Sequence, residues 1–218
     1  MIELIPSLLV ESAKEFERRL RLVDAHVKTV HVDILDGTMF PHVSFHDPQM
    51  IGDIATNVHY EIHLMVENPL PIIAEWKKHV PNLVRAIIHA ELDRPVGLIL
   101  EEIKQTHKLE TGLALNPETP VKEMLTHIPN LDSVLVMGIH PGASGQAFLG
   151  ELALDKIRTV HAHAPNMPIA CDGGVNLETA ETIINAGCIR LVAASAIFNA
   201  PSPGEAIKAL SASLSSIS

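Results

Sequence analysis

His31 and Asp33 stand two apart in the run Val30–Phe45, VHVDILDGTMFPHVSF. In an extended strand such residues point the same way, so both share a face with Leu35 while Val30, Val32 and Ile34 line the other. A strand this apolar is expected to be buried on both sides. An ionised carboxylate is costly there unless a cation or hydrogen-bond donors lie beside it. Taken alone, the stretch fits a salt-bridged core pair as well as half of a metal site. His63 in HLMV and Asp172 in CDGG add a second imidazole and a second carboxylate. His63 by itself reads as a core histidine. The four together suit one divalent ion, Zn²⁺ first, with Mn²⁺, Co²⁺ or Fe²⁺ as alternatives, and leave positions open for substrate oxygens. Glu61, two before His63 on the same face, could support a ligand from behind.

Such a constellation needs strands to carry it. Short β-branched or Leu-rich runs alternate with longer amphipathic ones, the pattern of βα units on a parallel sheet. Strands are expected at Glu3–Leu9, Thr29–Leu35, His59–Val66, Arg85–Glu91, Gly112–Asn116, Ser133–Ile139, Pro168–Asp172 and Arg190–Ser195. Helices are expected at Ala13–Asp24, Asp47–Ala55, Leu70–His79, Val96–Thr106, Val121–Thr126, Gly150–His163, Leu177–Ala186 and Gly204–Leu214. Eight such units in 218 residues predict a single (β/α)₈ barrel domain, with a doubly wound sheet as the alternative.

The net charge of −10, the 3% aromatic content and the lack of a Lys/Arg cluster argue against nucleic acid and anionic membranes. No apolar run approaches a membrane span. The opening MIELIPSLLV has an early Glu, a Pro and no positive flank, and reads as a strand rather than a signal peptide. Cys171 and Cys188 form no paired framework or CxxC motif, so the chain is expected to be cytoplasmic.

In a barrel of this kind the chemistry lies at the C-terminal strand ends. Ser7, His31, Asp33, His63, Met65, Met137, Asp172 and Ser195 fall there. Two carboxylates across a barrel mouth can face opposite sides of a flat intermediate, one removing a proton from carbon and the other returning one to the far face. A metal would stabilise the enediolate oxygens between those steps. This is racemase or epimerase chemistry beside a carbonyl. No expected strand interior carries a lysine, which disfavours Schiff-base aldolases. The turn His140-Pro-Gly-Ala-Ser-Gly145 follows strand six, where barrels place phosphate sites. Gly173, Gly174, Ala194 and Ser195 could complete that cup. Met65, Met137 and Leu35 would pack around the reacting carbons, and Ser7 could bond a substrate hydroxyl. His89 and Glu91 read as structural.

The ordered segments IPSLL, HVDILDG, HLMV, HAE, GLALNPETP, VLVMGIHPGASGQAF, CDGGV and ASAIF resemble the ribulose-phosphate 3-epimerase family over essentially the whole chain. The resemblance implies a metal-dependent interconversion of D-ribulose 5-phosphate and D-xylulose 5-phosphate by inversion at C3. It carries the metal onto His31, Asp33, His63 and Asp172, with Asp33 and Asp172 as the acid/base pair. Substrate contacts are expected at Ser7, His63, Met137, Gly142, Ala143, Ser144, Gly145, Asp172, Gly173, Gly174, Ala194 and Ser195. The partner is a small sugar phosphate, and a homo-oligomer is expected. The chain departs from the family at His42, His46 and His140, at Leu35, in the turn GASG and at Ala194. Glycines replaced in a turn cost about 1 kcal/mol or more where the backbone needs positive φ. These departures keep two rivals open: another ketose phosphate such as allulose 6-phosphate, or a catalytically silent sugar-phosphate-binding paralogue.

Overall fold

The computed structural model describes residues 2–142 and 145–215. Eight parallel strands close on themselves in chain order. They are β1 (Glu3–Leu8), β2 (Thr29–Leu35), β3 (His59–Met65), β4 (Leu83–His89), β5 (Glu110–Leu115), β6 (Ser133–Met137), β7 (Ile169–Asp172) and β8 (Arg190–Ala193). Between and after them run α1 (Ala13–Val23), α2 (Pro48–Gly52), α3 (Pro69–His79), α4 (Val96–Gln105), α5 (Lys122–Leu125), α6 (Glu151–His163), α7 (Ala180–Asn185), α8 (Ser195–Phe198) and α9 (Pro203–Ser215). The architecture is a (β/α)₈ barrel, as the alternating pattern predicts.

Period-two alternation divides each strand between two cores. Val30, Val32 and Ile34 of β2 join Phe16 and Leu20 of α1 in the layer between sheet and helices. Ile5, Ile87, Ala114, Leu135, Ala170 and Val192 fill the barrel itself. Helix starts follow local chemistry. Ser12 accepts a bond from the Glu15 amide at 3.4 Å and opens α1. Asp47 accepts from the amides of Gln49 and Met50 at 3.0 and 3.1 Å, ahead of Pro48, and opens α2.

Several expected bounds move. The fourth strand spans Leu83–His89, so Glu91 lies beyond it in the loop. The eighth ends at Ala193, and Ser195 begins the four-residue α8 instead of ending a strand. The fifth and seventh helices are shorter than expected, at Lys122–Leu125 and Ala180–Asn185.

The N-terminal end of the barrel is closed by charge. Arg85 Nη1 and Arg190 Nη2 donate to Glu61 Oε2 at 2.6 and 2.7 Å, and Arg190 Nε donates to Glu3 Oε2 at 3.0 Å. Among the described residues no helix is long and apolar enough to cross a membrane.

Candidate metal and substrate site

Strand register assembles the site. Asp33 of β2 pairs with His63 of β3, His31 with Glu61, and Met137 of β6 with Asp172 of β7. One ligand atom from each of His31, Asp33, His63 and Asp172 lies within 4.8 Å of the others, and all four residues are buried. His63 Nδ1 is 3.0 Å from Asp33 Oδ1 and 3.6 Å from Asp172 Oδ2. His31 Nε2 is 3.4 Å from Asp33 Oδ1 and 3.9 Å from Asp172 Oδ2. Four ligands about 2.0–2.2 Å from one tetrahedral ion sit roughly 3.3–3.6 Å from each other, so the spacing fits such an ion.

A second observation points the same way. His31 Nε2 is buried and makes no hydrogen bond. Its other nitrogen, Nδ1, meets Glu61 Oε1 at 2.8 Å. A ring nitrogen left without a partner between two carboxylates is where a cation belongs. The donor set therefore fits a divalent ion of the zinc type.

The electrostatics describe a site built around positive charge. Burial pushes Asp172 up, and the nearby Asp33 carboxylate pushes it further, to about 7. Burial also opposes ionisation of Asp33, but His31 and His63 outweigh it and hold that carboxyl well below the usual range. Burial would lower His31, yet its contacts with Asp33 and Glu61 win and raise it to about 10. His63 goes the other way, to about 4, because burial and the neighbouring His89 and His31 outweigh Asp33.

The loop after β2 folds back to fix the backbone of Asp33. Ser44 Oγ donates to the Asp33 carbonyl at 2.7 Å and accepts from the Leu35 amide at 3.0 Å. From β1, Ser7 Oγ donates to Asp33 Oδ2 at 2.5 Å. Ser7 thus bonds the carboxylate directly.

A cavity open to solvent lies above these groups. Ser7, Asp33, Met137 and Asp172 line its base. Gly142, Gly145, Gly173, Gly174, Ala194 and Ser195 also contribute to its wall. Met65 lines it too, along with Leu9, Ile139 and Val175, three apolar residues the sequence reading did not single out. His31 and His63 are fully buried and form no part of that wall. Leu35 is likewise outside it. Ala143 and Ser144 lie outside the described residues.

Two glycines in the wall are required. Gly173 has φ +96°, and a Cβ there would overlap the Ile139 side chain. Gly174 has φ +71°, and its Cβ would lie 2.7 Å from Phe148 Cα. Ala194, by contrast, has φ −111°, so the alanine carries none of the strain expected of a lost glycine. The histidine departures are peripheral. His140 pairs with Glu118 at 3.3 Å on the surface, His46 Nδ1 donates to the Ser44 carbonyl at 2.7 Å, and the His42 ring lies against Gly142.

The Ribulose-phosphate 3 epimerase family model matches residues 3–198. The chain belongs to the ribulose-phosphate 3-epimerase family. It is 32% identical over 214 residues to ribulose-phosphate 3-epimerase of Mycobacterium leprae, covering 94% of this chain and 92% of that one. The Bacillus subtilis protein of the same name is 32% identical over 210 residues, with 91% and 93% covered. The cytoplasmic isoform of Oryza sativa is 32% identical over 217 residues, with 95% and 92% covered. As a member of the epimerase family, the chain is an isomerase. Solved barrels share its fold at low identity. A 3-hexulose-6-phosphate synthase superposes with TM-score 0.72 at 16% identity, covering 97% of this chain and 99% of that one. KGPDC from Streptococcus mutans gives 0.76 at 11%, covering 100% and 99%.

Proposed function

We propose that this member of the ribulose-phosphate 3-epimerase family interconverts D-ribulose 5-phosphate and D-xylulose 5-phosphate through proton transfer by Asp33 and Asp172. The observation that carries the reading is the convergence of these two buried carboxylates on one cavity from strands separated by β1 and β8. A planar intermediate lying between them presents one face to each. One aspartate removes the proton from C3 and the other delivers a proton to the opposite face, which inverts the centre. A divalent ion held by His31, Asp33, His63 and Asp172 would polarise the carbonyl and offset the negative charge that develops on the substrate oxygens.

The chain's own residues supply the rest. Ser7 orients Asp33 through its hydroxyl, and Ser44 holds the strand end behind it. Met65 and Met137 give the reacting carbons an apolar wall that keeps water from competing for the proton. The phosphate is cradled by backbone amides at Gly142, Gly145, Gly173-Gly174 and Ala194-Ser195, because no lysine or arginine lines the cavity among the described residues. Family relatives named for ribulose phosphate support this substrate over a hexulose phosphate. The free, buried Cys171 and Cys188 agree with a reducing, cytoplasmic setting.

The test is a coupled epimerase assay on ribulose 5-phosphate beside allulose 6-phosphate, with Zn²⁺, Mn²⁺ or a chelator, run in D₂O. The parent enzyme should turn over the pentulose in a metal-dependent way and incorporate solvent deuterium at C3. Asp172→Asn should abolish epimerisation. An Asp172→Asn protein that exchanged and epimerised like the parent would end the two-base reading. Turnover of the hexulose alone would reassign the substrate.

A further inference from the structure

Behind His63 lies a chain of groups that the proposed reaction leaves unused. His63 Nε2 is 2.9 Å from His89 Nε2. The ring centroids are 5.0 Å apart with planes only 18° from parallel. At that separation a 2.9 Å contact between nitrogens means the rings meet edge to edge, as an N–H···N bond requires. His89 Nδ1 in turn meets Glu91 Oε2 at 3.0 Å, and Glu91 Oε1 accepts from the Asn116 amide at 2.9 Å. His63 and His89 are fully buried. Phe40, from the loop after β2, packs edge-on against the His89 ring, with centroids 5.8 Å apart.

With a cation on His63 Nδ1 in place of the proton that this nitrogen otherwise donates to Asp33 Oδ1 at 3.0 Å, one arrangement of hydrogens satisfies this chain and keeps both rings neutral. A carboxylate accepts and does not donate, so His89 must carry its proton on Nδ1. A neutral His89 then offers a lone pair at Nε2, which accepts from Nε2–H of His63. That leaves the Nδ1 lone pair of His63 facing Asp33 and Asp172, where a metal ligand must present it. We infer that His89 and Glu91 are positioning residues that hold His63 in its metal-binding tautomer and orientation. The two histidine ligands are thus set by different devices. His31 leans on a carboxylate backed by two guanidiniums, and His63 leans on a second histidine backed by a carboxylate.

The inference rests on the assignment of His63 as a ligand, and its test separates the two. Zn²⁺ and Co²⁺ affinities are measured by chelator competition for the parent, His63→Ala, His89→Phe, His89→Gln and Glu91→Gln. His63→Ala should lose most of the affinity. A His63→Ala protein that bound the ion like the parent would remove the ligand assignment and the inference together.

His89→Phe keeps a ring but removes the acceptor, and should weaken binding by about 10–100-fold and shift the visible spectrum of the Co²⁺ protein. His89→Gln, whose amide can accept from His63 and donate to Glu91, should recover most of that loss. In the Zn²⁺-loaded parent, ring ¹⁵N spectra should show His89 protonated at Nδ1 and His63 at Nε2. Parent-like affinity and an unshifted Co²⁺ spectrum for His89→Phe would overturn the inference while leaving the ligand assignment standing. So would a His89 ring protonated at Nε2. If His89→Phe does not fold, Glu91→Gln decides, because its partly exposed side chain tolerates change. Its amide can donate as well as accept, so His89 should lose its single tautomer. A ring spectrum and affinity identical to the parent's would refute the role.

Discussion

Glu61 is fully buried and serves two sets of partners, so Glu61→Gln is a sharp perturbation. Its Oε1 meets His31 Nδ1 at 2.8 Å, while its Oε2 accepts from Arg85 and Arg190 at 2.6 and 2.7 Å. Burial works against its charge, but His31 and Arg190 overcome that and hold the carboxyl well below the usual range. A glutamine has one acceptor and one donor end to distribute between these partners. If its oxygen faces His31, an N–H₂ group is pressed against two guanidiniums. If its oxygen faces the arginines, its N–H₂ faces His31 Nδ1, and the ring must move its proton to Nε2, the nitrogen aimed at the metal. Both outcomes cost something.

Removing one partner of a buried ion pair destabilises by about 3–5 kcal/mol. For a chain of this length each kcal/mol lowers Tm by about 2–4 °C, so the metal-free variant should melt roughly 6–20 °C below the parent. Metal affinity should fall by about 10–100-fold. Thermal unfolding followed by circular dichroism, with and without Zn²⁺, reads the first quantity, and chelator competition reads the second. A variant that melts within about 2 °C of the parent and binds metal equally well would refute both parts of the argument.

Two further outcomes follow from the site. Metal must displace the proton that Asp172 holds below about 7 and the one that His31 holds up to about 10. Apparent affinity should therefore rise about 100-fold per pH unit below 7 and about tenfold per unit from there towards 10. The linkage signs agree. Asp172 is raised, so its contribution to the stability of the metal-free fold falls as pH rises from about 4 to about 7; that of His31 is lost from about 6.5 to about 10. The Tm gap between loaded and metal-free protein should widen between pH 6 and pH 8, and a gap independent of pH would contradict the assignment. Gly174→Ala places a Cβ 2.7 Å from the backbone of Phe148 at φ +71°, so it should lower Tm by several degrees and raise KM for the sugar phosphate. A parent-like KM measured by the coupled assay would exclude Gly174 from the phosphate cradle.

Much of this arrangement could be read before any coordinates. His31, Asp33 and His63 obey the alternation of buried strands, and parallel neighbours in chain order bring inward residues to one level, so the grouping of these side chains was legible from strand spacing and barrel order. Glu61 was legible for the same reason, two residues behind His63 on the same face. The support of His63 by His89 was not. It runs diagonally, because the direct β4 partner of His63 is Ile87. Glu91, the expected end of that strand, reaches His89 from a loop. Ser44 was equally silent: eleven residues beyond Asp33, it touches that residue's carbonyl only because the intervening loop doubles back. Short β-branched runs carry no mark of where pairing stops, which extends the expected eighth strand to Ser195, whereas the structure starts a helix there.

The sealed floor of the barrel has a kinetic meaning. Ile5, Ile87, Leu135 and Val192 fill the interior, and the Glu61–Arg85–Arg190–Glu3 network lies at the far end, so the cavity opens on the side away from both. Substrate and product must use the same doorway in turn. In the proposed reaction the two would share one site, which makes one the simple competitor of the other and makes the forward and reverse reactions one itinerary run in opposite directions. Bulk water reaches the two aspartates by that doorway as well. In the proposed reaction the seated ligand is then the stopper that decides whether a transferred hydrogen is handed back or traded for one from solvent.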